Sequence, residues 1–216
     1  MSSNSITYRI LGINDFNDVM NLLITDYITE EPISMMLGIT EEILGTNLNE
    51  RLKEYLSEKF CVGAFDSRSS CLIGVGVGYT GDKEKKSMNS DTSTIPVHVR
   101  QTDAVWKELL DGTKEERLGT KNIFHLYVSC VKYEYAGQGI AAEMCERMQK
   151  IAISQGCKKV SAIATSYYAQ KVFKNFGFDF IKSIFYEEYI DPVTGNKIFN
   201  NMPKPHEKVV FVMKNL

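Results

Sequence analysis

No stretch of this chain approaches the length of an apolar membrane span, and its N-terminus, MSSNSITYRI, lacks the apolar core of a signal peptide. Excess charge of one sign is missing too. A formal charge of -2 argues against nucleic acid as the main partner, because binding a phosphate backbone calls for a strong basic surplus. Histidine is scarce, and His98, His125 and His206 lie too far apart in sequence to suggest metal ligands by spacing. The five cysteines, Cys61, Cys71, Cys130, Cys145 and Cys157, are odd in number and contain no Cys-x-x-Cys pair. They read as reduced, mostly buried thiols. A cytoplasmic protein that engages neither nucleic acid nor membrane, and needs no metal, is the expectation.

What is present suits one folded domain over residues 1–216. Apolar residues at 44% and charged residues at 24% are ordinary for a globular chain with a full core. The organising stretch runs from Ile123 to Gln155. Alternation over Ile123–Val131 predicts a strand, with His125, Tyr127 and Ser129 on one face and Phe124, Leu126, Val128 and Cys130 on the other. From Ile140 the period lengthens, and Ile140, Met144, Met148 and Ile151 mark one face of a helix. Between them lies Tyr135-Ala136-Gly137-Gln138-Gly139-Ile140-Ala141. Its glycines allow a tight turn and close approach of a ligand, while the first amides of the new helix point outward unpaired. Such a turn can cradle a pyrophosphate without a lysine. It can also be only a tight turn. The third glycine of a dinucleotide fingerprint and the Gly-Lys-Ser/Thr ending of a Walker loop are both missing.

Elsewhere the patterning predicts an opening strand at Ile6–Ile10, then a helix capped by Asn14 or Asp15 that stops before Glu30-Glu31-Pro32. A second helical region follows Gly38 and continues past Gly45. Phe60–Asp66 and Cys71–Tyr79 read as a hairpin. Gly74, Gly76 and Gly78 leave one face of its second strand bare, either for a ligand or for packing beneath a helix. Residues 80–120 read as an insertion: a polar loop from Thr80 to Pro96, then a helix over Thr102–Leu110 holding the single tryptophan, Trp106. Val160–Ala164 is a strand reached through Gly156, Ser166–Phe176 a helix, and Phe180–Ile190 and Lys208–Lys214 the last strands. The fold class is α/β (α+β), a mixed sheet of about seven strands flanked by helices in the order β-α-α-β-β-β-α-β-α-β-β.

CVKYEYAGQGIA resembles the signature of the GNAT superfamily of acyl-CoA-dependent N-acetyltransferases, a strand followed by Arg/Gln-x-x-Gly-x-Gly/Ala and a helix. Gly139, Ile140 and Ala141 match its last three positions, and Ala136 stands where the family has Arg or Gln. Glu31-Pro32, the loop Tyr135–Ala141 and the segment Ala164–Gly177 together resemble the invertebrate arylalkylamine N-acetyltransferases. The resemblance implies the GNAT fold and acetyl-CoA as cosubstrate. It implies a pyrophosphate on Ala136, Gly137, Gln138, Gly139, Ile140 and Ala141, and a pantetheine arm along Ser129, Cys130 and Val131, with Ser166 and Ala169 nearby.

For the chemistry, the resemblance implies Glu31 as general base and, second, His125. The Cys130 backbone N–H is the candidate oxyanion donor, its thiol being better explained as core than as nucleophile. Tyr127, Tyr168 and Glu31 would hold the amine. The general acid is the open position. In the pattern Asn-x-x-Ala-x-x-x-Tyr-x-x-x-Gly-Phe the chain keeps Ala169, Gly177 and Phe178 but has Ser166 and Phe173, leaving Thr165, Ser166 or Tyr168 to substitute. The expected activity is acetyl transfer to a small primary amine, most simply an arylalkylamine, by direct attack in a ternary complex. Polyamine or lysine-like acceptors, attracted by Asp26, Glu30 and Glu31, are the alternative, and a non-catalytic acyl-CoA-binding module is the other. A monomer or homodimer is compatible with either.

Overall fold

The computed structural model describes residues 5–80, 95–112 and 122–216. Most of the polar run after Thr80 lies outside them. Strands appear where alternation placed them: β1 (Ile6–Ile10), β2 (Val62–Asp66), β3 (Leu72–Thr80), β4 (Ile123–Val131), β5 (Lys159–Ala164), β6 (Asp179–Phe185) and β7 (Lys208–Asn215). They form one seven-stranded sheet in the order β1-β2-β3-β4-β5-β7-β6. Every neighbouring pair is antiparallel except β4 and β5, which the helix α6 (Ile140–Ser154) joins as a parallel crossover.

Helices cover both faces. On one, α6 and α7 (Tyr167–Asn175) bury Ile140, Met144, Met148 and Phe173 against Ile73, Phe124 and Val160. On the other, α1 (Phe16–Leu22) and α4 (Glu41–Ser57) pack Val19, Leu22, Leu52 and Leu56 against Val75 and Val77. A third cluster joins α3 (Pro32–Leu37) and α5 (Val97–Leu110) to β6, β7 and the segment after β6, through Ile33, Val105, Leu109, Tyr186 and Phe199. Trp106 packs at its margin.

The bare face of β3 is explained by α6. A Cβ on Gly76 would lie 2.5 Å from Met148 Sδ, and one on Gly78 2.5 Å from Phe124 Cζ. The glycines are there for close helix packing, and no helix N-terminus follows them to bind a phosphate.

Several boundaries differ from the expectation. The first helix is preceded by a 3-10 turn, Ile13–Asp15, and it is this turn that the Asp15 side chain closes by accepting from the Gly12 N–H at 2.9 Å. After α1 the chain widens into a π turn over Leu23–Tyr27, then a short helical turn α2 (Ile28–Glu30). The helix α3 was hidden between two proline and glycine signals: Pro32 takes its first position and Gly38, at φ 62°, ends it. The strand expected over Phe180–Ile190 stops at Phe185, because Tyr186 and Tyr189 turn inward to the third cluster and Asp191 organises a tight turn by accepting from the amides of Val193 and Thr194.

The largest correction concerns β4. Its pairing with β3 runs Val77↔Val128 and then Gly78↔Leu126, so Tyr127 is an inserted residue, a β-bulge. The bulge flips the alternation beyond it. Phe124 and Leu126 face α6, but Val128 and Cys130 join the cluster under α1 and α4, on the side of Tyr127. Ser129 goes the other way, opposite Gly76.

Candidate active site

Two features make the site, one in β4 and one in the loop that leaves it. First, the pairing between β4 and β5 ends at Leu126↔Ala162, although β4 continues to Val131 and β5 to Ala164. Ahead of that point the two parallel strands part, and β4 presents a backbone edge over Tyr127–Val131 where an extended ligand can pair as a strand would. The buried side chain of Gln170 satisfies the far wall, donating to the carbonyls of Ala164 at 3.1 Å and Lys208 at 2.7 Å.

Second, the chain leaves β4 through a 3-10 turn, Tyr133–Tyr135, into the glycine loop. Gly137 and Gly139 sit at φ 75° and 79°, conformations that side chains resist, and a Cβ on either would meet nothing within 4 Å. Packing therefore does not explain these glycines; their left-handed backbone does, and the open space beside them leaves room for close approach of a ligand. Glu143 N–H is the first amide of α6 to find its helical partner, Gly139 O, at 3.0 Å. The amides of Ile140, Ala141 and Ala142 precede the helical ladder and add to its dipole. The loop is tied down by Tyr135, whose hydroxyl donates to Asp66 at 3.0 Å, and by the Lys132 amide on Ile73 O at 2.9 Å. These residues fit a pyrophosphate and a pantetheine arm: bare amides at one end, an open strand edge at the other.

Glu31 caps α3. Its carboxylate accepts from the Ile33 amide at 3.1 Å and the Ser34 amide at 2.6 Å, and each oxygen keeps a lone pair for a second donor. Tyr27 connects it to β4. Burial of the Tyr27 phenol, and then the charges of Glu31, Tyr127, Cys130 and Tyr186, raise its pKa well above the ordinary value. Tyr27 packs in the cluster that holds Cys130 and Val128, and its carbonyl accepts the Glu31 amide at 2.8 Å. The Cys130 thiol is pushed up to about 12, by burial first and then by Asp26 and Glu30.

Two residues here carried no signal in the sequence. Tyr186 donates to the Thr165 carbonyl at 2.7 Å, and its own pKa rises well above the ordinary value through burial and then Glu31. His206 accepts the Tyr167 amide on Nδ1 at 3.1 Å and packs edge-on to Tyr168, 5.8 Å between centroids. Burial lowers its pKa against the opposing pull of Glu31 and Glu30. Both stand far along the chain, on or beside the irregular segment between β6 and β7.

His125 belongs to a neighbouring group. Its Nδ1 lies 2.8 Å from Ser161 Oγ across β4 and β5, and its ring stacks on Tyr79 at 4.8 Å. Ser166 caps α7, its hydroxyl accepting from the Ala169 amide at 3.1 Å with its proton left to donate. Tyr168 is exposed beside it, while Phe173, at the position of the missing tyrosine, is core packed on Phe178 at 4.9 Å.

A mixed seven-stranded sheet that opens between its two parallel central strands, above a glycine turn into a helix, defines the GNAT class of acyltransferase folds. Residues 104–197 match the family model described as an acetyltransferase (GNAT) domain. A sequence comparison with curated proteins finds no match. Solved structures align along nearly the whole chain. A mosquito arylalkylamine N-acetyltransferase like 5b has a TM-score of 0.80 at 21% identity, covering 98% of this chain and 100% of that one. The Drosophila melanogaster polyamine N-acetyltransferase, which catalyses the formation of N-acetylagmatine, has 0.81 at 18%, covering 98% and 100%. The PaiA N-acetyltransferase of Thermoplasma acidophilum, in complex with coenzyme A, has 0.56 at 14%, covering 98% and 99%. The match to the family model covers residues 104–197, and the fold of the chain is that of these N-acetyltransferases. Among the described residues, no helix is long and apolar enough to cross a membrane.

Proposed function

We propose that this chain transfers an acetyl group from acetyl-CoA to the primary amine of a small molecule, by direct attack in a ternary complex. The observation that carries the reading is the opened β4 edge running into the bare amides after Gly139, with Glu31 one turn after Tyr27, which packs in the cluster that holds Cys130. Acetyl-CoA supplies the thioester carbon. Glu31 draws the ammonium in, takes its proton directly or through water, and leaves the nitrogen lone pair free to attack. The Cys130 backbone N–H stabilises the oxygen as negative charge builds on it. As the new C–N bond forms and the C–S bond breaks, the nitrogen sheds its second proton to water, while the Ser166 hydroxyl gives its proton to the departing sulfur and regains one from water. The Cys130 thiol takes no part, being protonated at every working pH.

An arylalkylamine acceptor is favoured over a polyamine because the wall beyond Tyr27 is built of tyrosines. Tyr127 meets Tyr55 edge-on at 5.5 Å and Tyr79 at 6.0 Å. The mosquito arylalkylamine and Drosophila polyamine relatives support the coarser reading, a small amine. Five free cysteines suit the reducing cytosol. The observation favouring a non-catalytic acyl-CoA module is Phe173, buried where the family's tyrosine acid would stand.

The test is release of CoA thiol from acetyl-CoA across tryptamine, tyramine, dopamine, spermidine, thialysine and a lysine peptide, with acetyl-CoA binding measured in parallel. Turnover with one amine class is expected. Tight binding without turnover on any amine would leave the module reading, and absence of binding would remove both.

A further inference from the structure

We infer that Gln170 and Tyr186 are positioning residues that hold the gap between β4 and β5 open by fastening the end of β5 to β7, and that they thereby shape the slot for the acyl-bearing arm of acetyl-CoA. The inference rests on the acetyl-CoA part of the reading above and does not need the transfer to occur.

The two parallel strands last pair at Leu126↔Ala162, yet β5 continues to Ala164. Over those last residues it stays paired with β7, through Ile163↔Phe211 and Ala164↔Val210. Because β5 lies between β4 and β7, whatever fastens its end to β7 draws it away from β4. Gln170, on α7 and 9% exposed, places both hydrogens of its amide nitrogen on carbonyls: that of Ala164 at 3.1 Å and that of Lys208, the first residue of β7, at 2.7 Å. Tyr186, just after β6 and 1% exposed, donates its hydroxyl across the start of β7 to the Thr165 carbonyl at 2.7 Å. Tyr186 is itself held by its amide on Glu207 O at 2.9 Å and by its ring against Phe199, 5.2 Å between centroids. The Tyr167 amide adds a contact on the same side, to His206. None of these bonds reaches β4.

The bulge at Tyr127 offers a competing account, since it bends β4 at the same level. A bend in β4, however, leaves the end of β5 free to follow, and a strand edge with unpaired amides and carbonyls takes a partner wherever one can reach it. Without the donors of Gln170 and Tyr186, the carbonyls of Ala164 and Thr165 can turn to the amides of the β4 edge, extending the parallel ladder past Leu126 into the place of the ligand. Acetyl-CoA then binds only the fraction of molecules that is open, and its apparent affinity falls by that fraction. The loss falls on the arm in the slot. The bare amides after Gly139 stand on a loop tied separately to Asp66 and Ile73, and they keep their hold on the pyrophosphate.

The experiment titrates two ligands into the full chain by calorimetry: acetyl-CoA, and 3′-phospho-ADP, its nucleotide half, which carries the pyrophosphate but no arm. Tyr186→Phe keeps the ring and removes only the hydroxyl, while Gln170→Met keeps the length of the side chain and removes its donors. Each variant is expected to bind acetyl-CoA about tenfold more weakly and the nucleotide half within about twofold of the wild type. Gly139→Val, by contrast, is expected to weaken both. Folding is checked by thermal denaturation, and Tyr186→Phe, the milder change, decides the matter if Gln170→Met does not fold. Unchanged acetyl-CoA affinity in folded Tyr186→Phe overturns the inference and leaves the bulge to open the gap. An equal loss for both ligands also overturns it, marking a general structural role, as does a wild type that binds the two ligands equally or binds no acetyl-CoA. Thiol release is scored separately. A loss confined to acetyl-CoA, without turnover of any amine by the wild type, supports this inference while overturning the transferase reading.

Discussion

Glu31 has two jobs that a single substitution confounds, and separating them is the most direct test of the mechanism. Its carboxylate holds the Ile33 and Ser34 amides at 3.1 and 2.6 Å, and both residues are buried. Glu31→Ala leaves those donors without a partner, which costs about 2 kcal/mol, a fall in Tm of about 4–8 °C for a chain of this size. Glu31→Gln retains one acceptor oxygen and should cost about half as much. Glu31→Asp keeps a good cap, within about 0.5 kcal/mol, but draws the carboxylate back by about one bond length.

If the carboxylate is the base, all three variants lose rate whatever their stability. Glu31→Gln and Glu31→Ala should fall by about 10²-fold or more in kcat/KM, and Glu31→Asp by about 10²-fold from misplacement alone, with acetyl-CoA affinity unchanged. The deficit of Glu31→Gln should shrink by about tenfold per pH unit towards pH 10, because the amine then arrives as its free base. The assay is thiol release at pH 7–10 on protein whose folding is checked by thermal denaturation. A folded Glu31→Gln that keeps more than about a tenth of wild-type kcat/KM at pH 7.5 would falsify the base assignment and leave Glu31 as a cap alone.

Gly139→Val should weaken acetyl-CoA binding by more than tenfold in calorimetry and cost about 1–2 kcal/mol from its left-handed backbone; unchanged affinity removes the phosphate cradle, since no packing contact stands near that Cβ. Cys130→Ala should keep kcat/KM within about threefold, because a thiol pushed up to about 12 holds about one part in 10⁴ thiolate at pH 8; an acetylated enzyme seen by mass spectrometry in the wild type and lost in the variant would refute it. Gly78→Ala should destabilise by about 1–3 kcal/mol in urea unfolding by forcing the fully buried Phe124 ring aside, and no change would mean that this ring on β4 lies less tightly against β3 than the contact implies. His206, lowered below its ordinary 6.5 by burial, stays neutral in the folded chain while the unfolded chain takes up a proton. Its contribution is therefore complete above about pH 6.5 and is lost as pH falls below that, so His206→Gln should flatten the drop in Tm between pH 7.5 and 5.5, and an unaltered slope would rule this out.

Much of this frame was legible because periodicity reports what a residue packs against. The switch from alternation in Ile123–Val131 to a three-to-four repeat after Ile140 marks the strand and helix with their observed limits, and the stripe Gly74, Gly76, Gly78 reads correctly as room for a helix. The cap formed by Glu31 was within reach as well, since a proline in the first helical position asks for a capping residue before it. Tyr186 and His206 were out of reach. They arrive on a segment without periodicity, and only tertiary packing carries them to the residues around Glu31.

The bulge shows why the face of a side chain is harder to read than the strand that carries it. One extra residue leaves β4 as apolar as alternation requires on both sides of Tyr127, so composition and period stay silent, yet every residue beyond it changes sides. That change puts Cys130 on the face of Tyr127 and Tyr27 instead of under α6. It also releases Tyr127 from the β3 ladder at the place where β5 turns away.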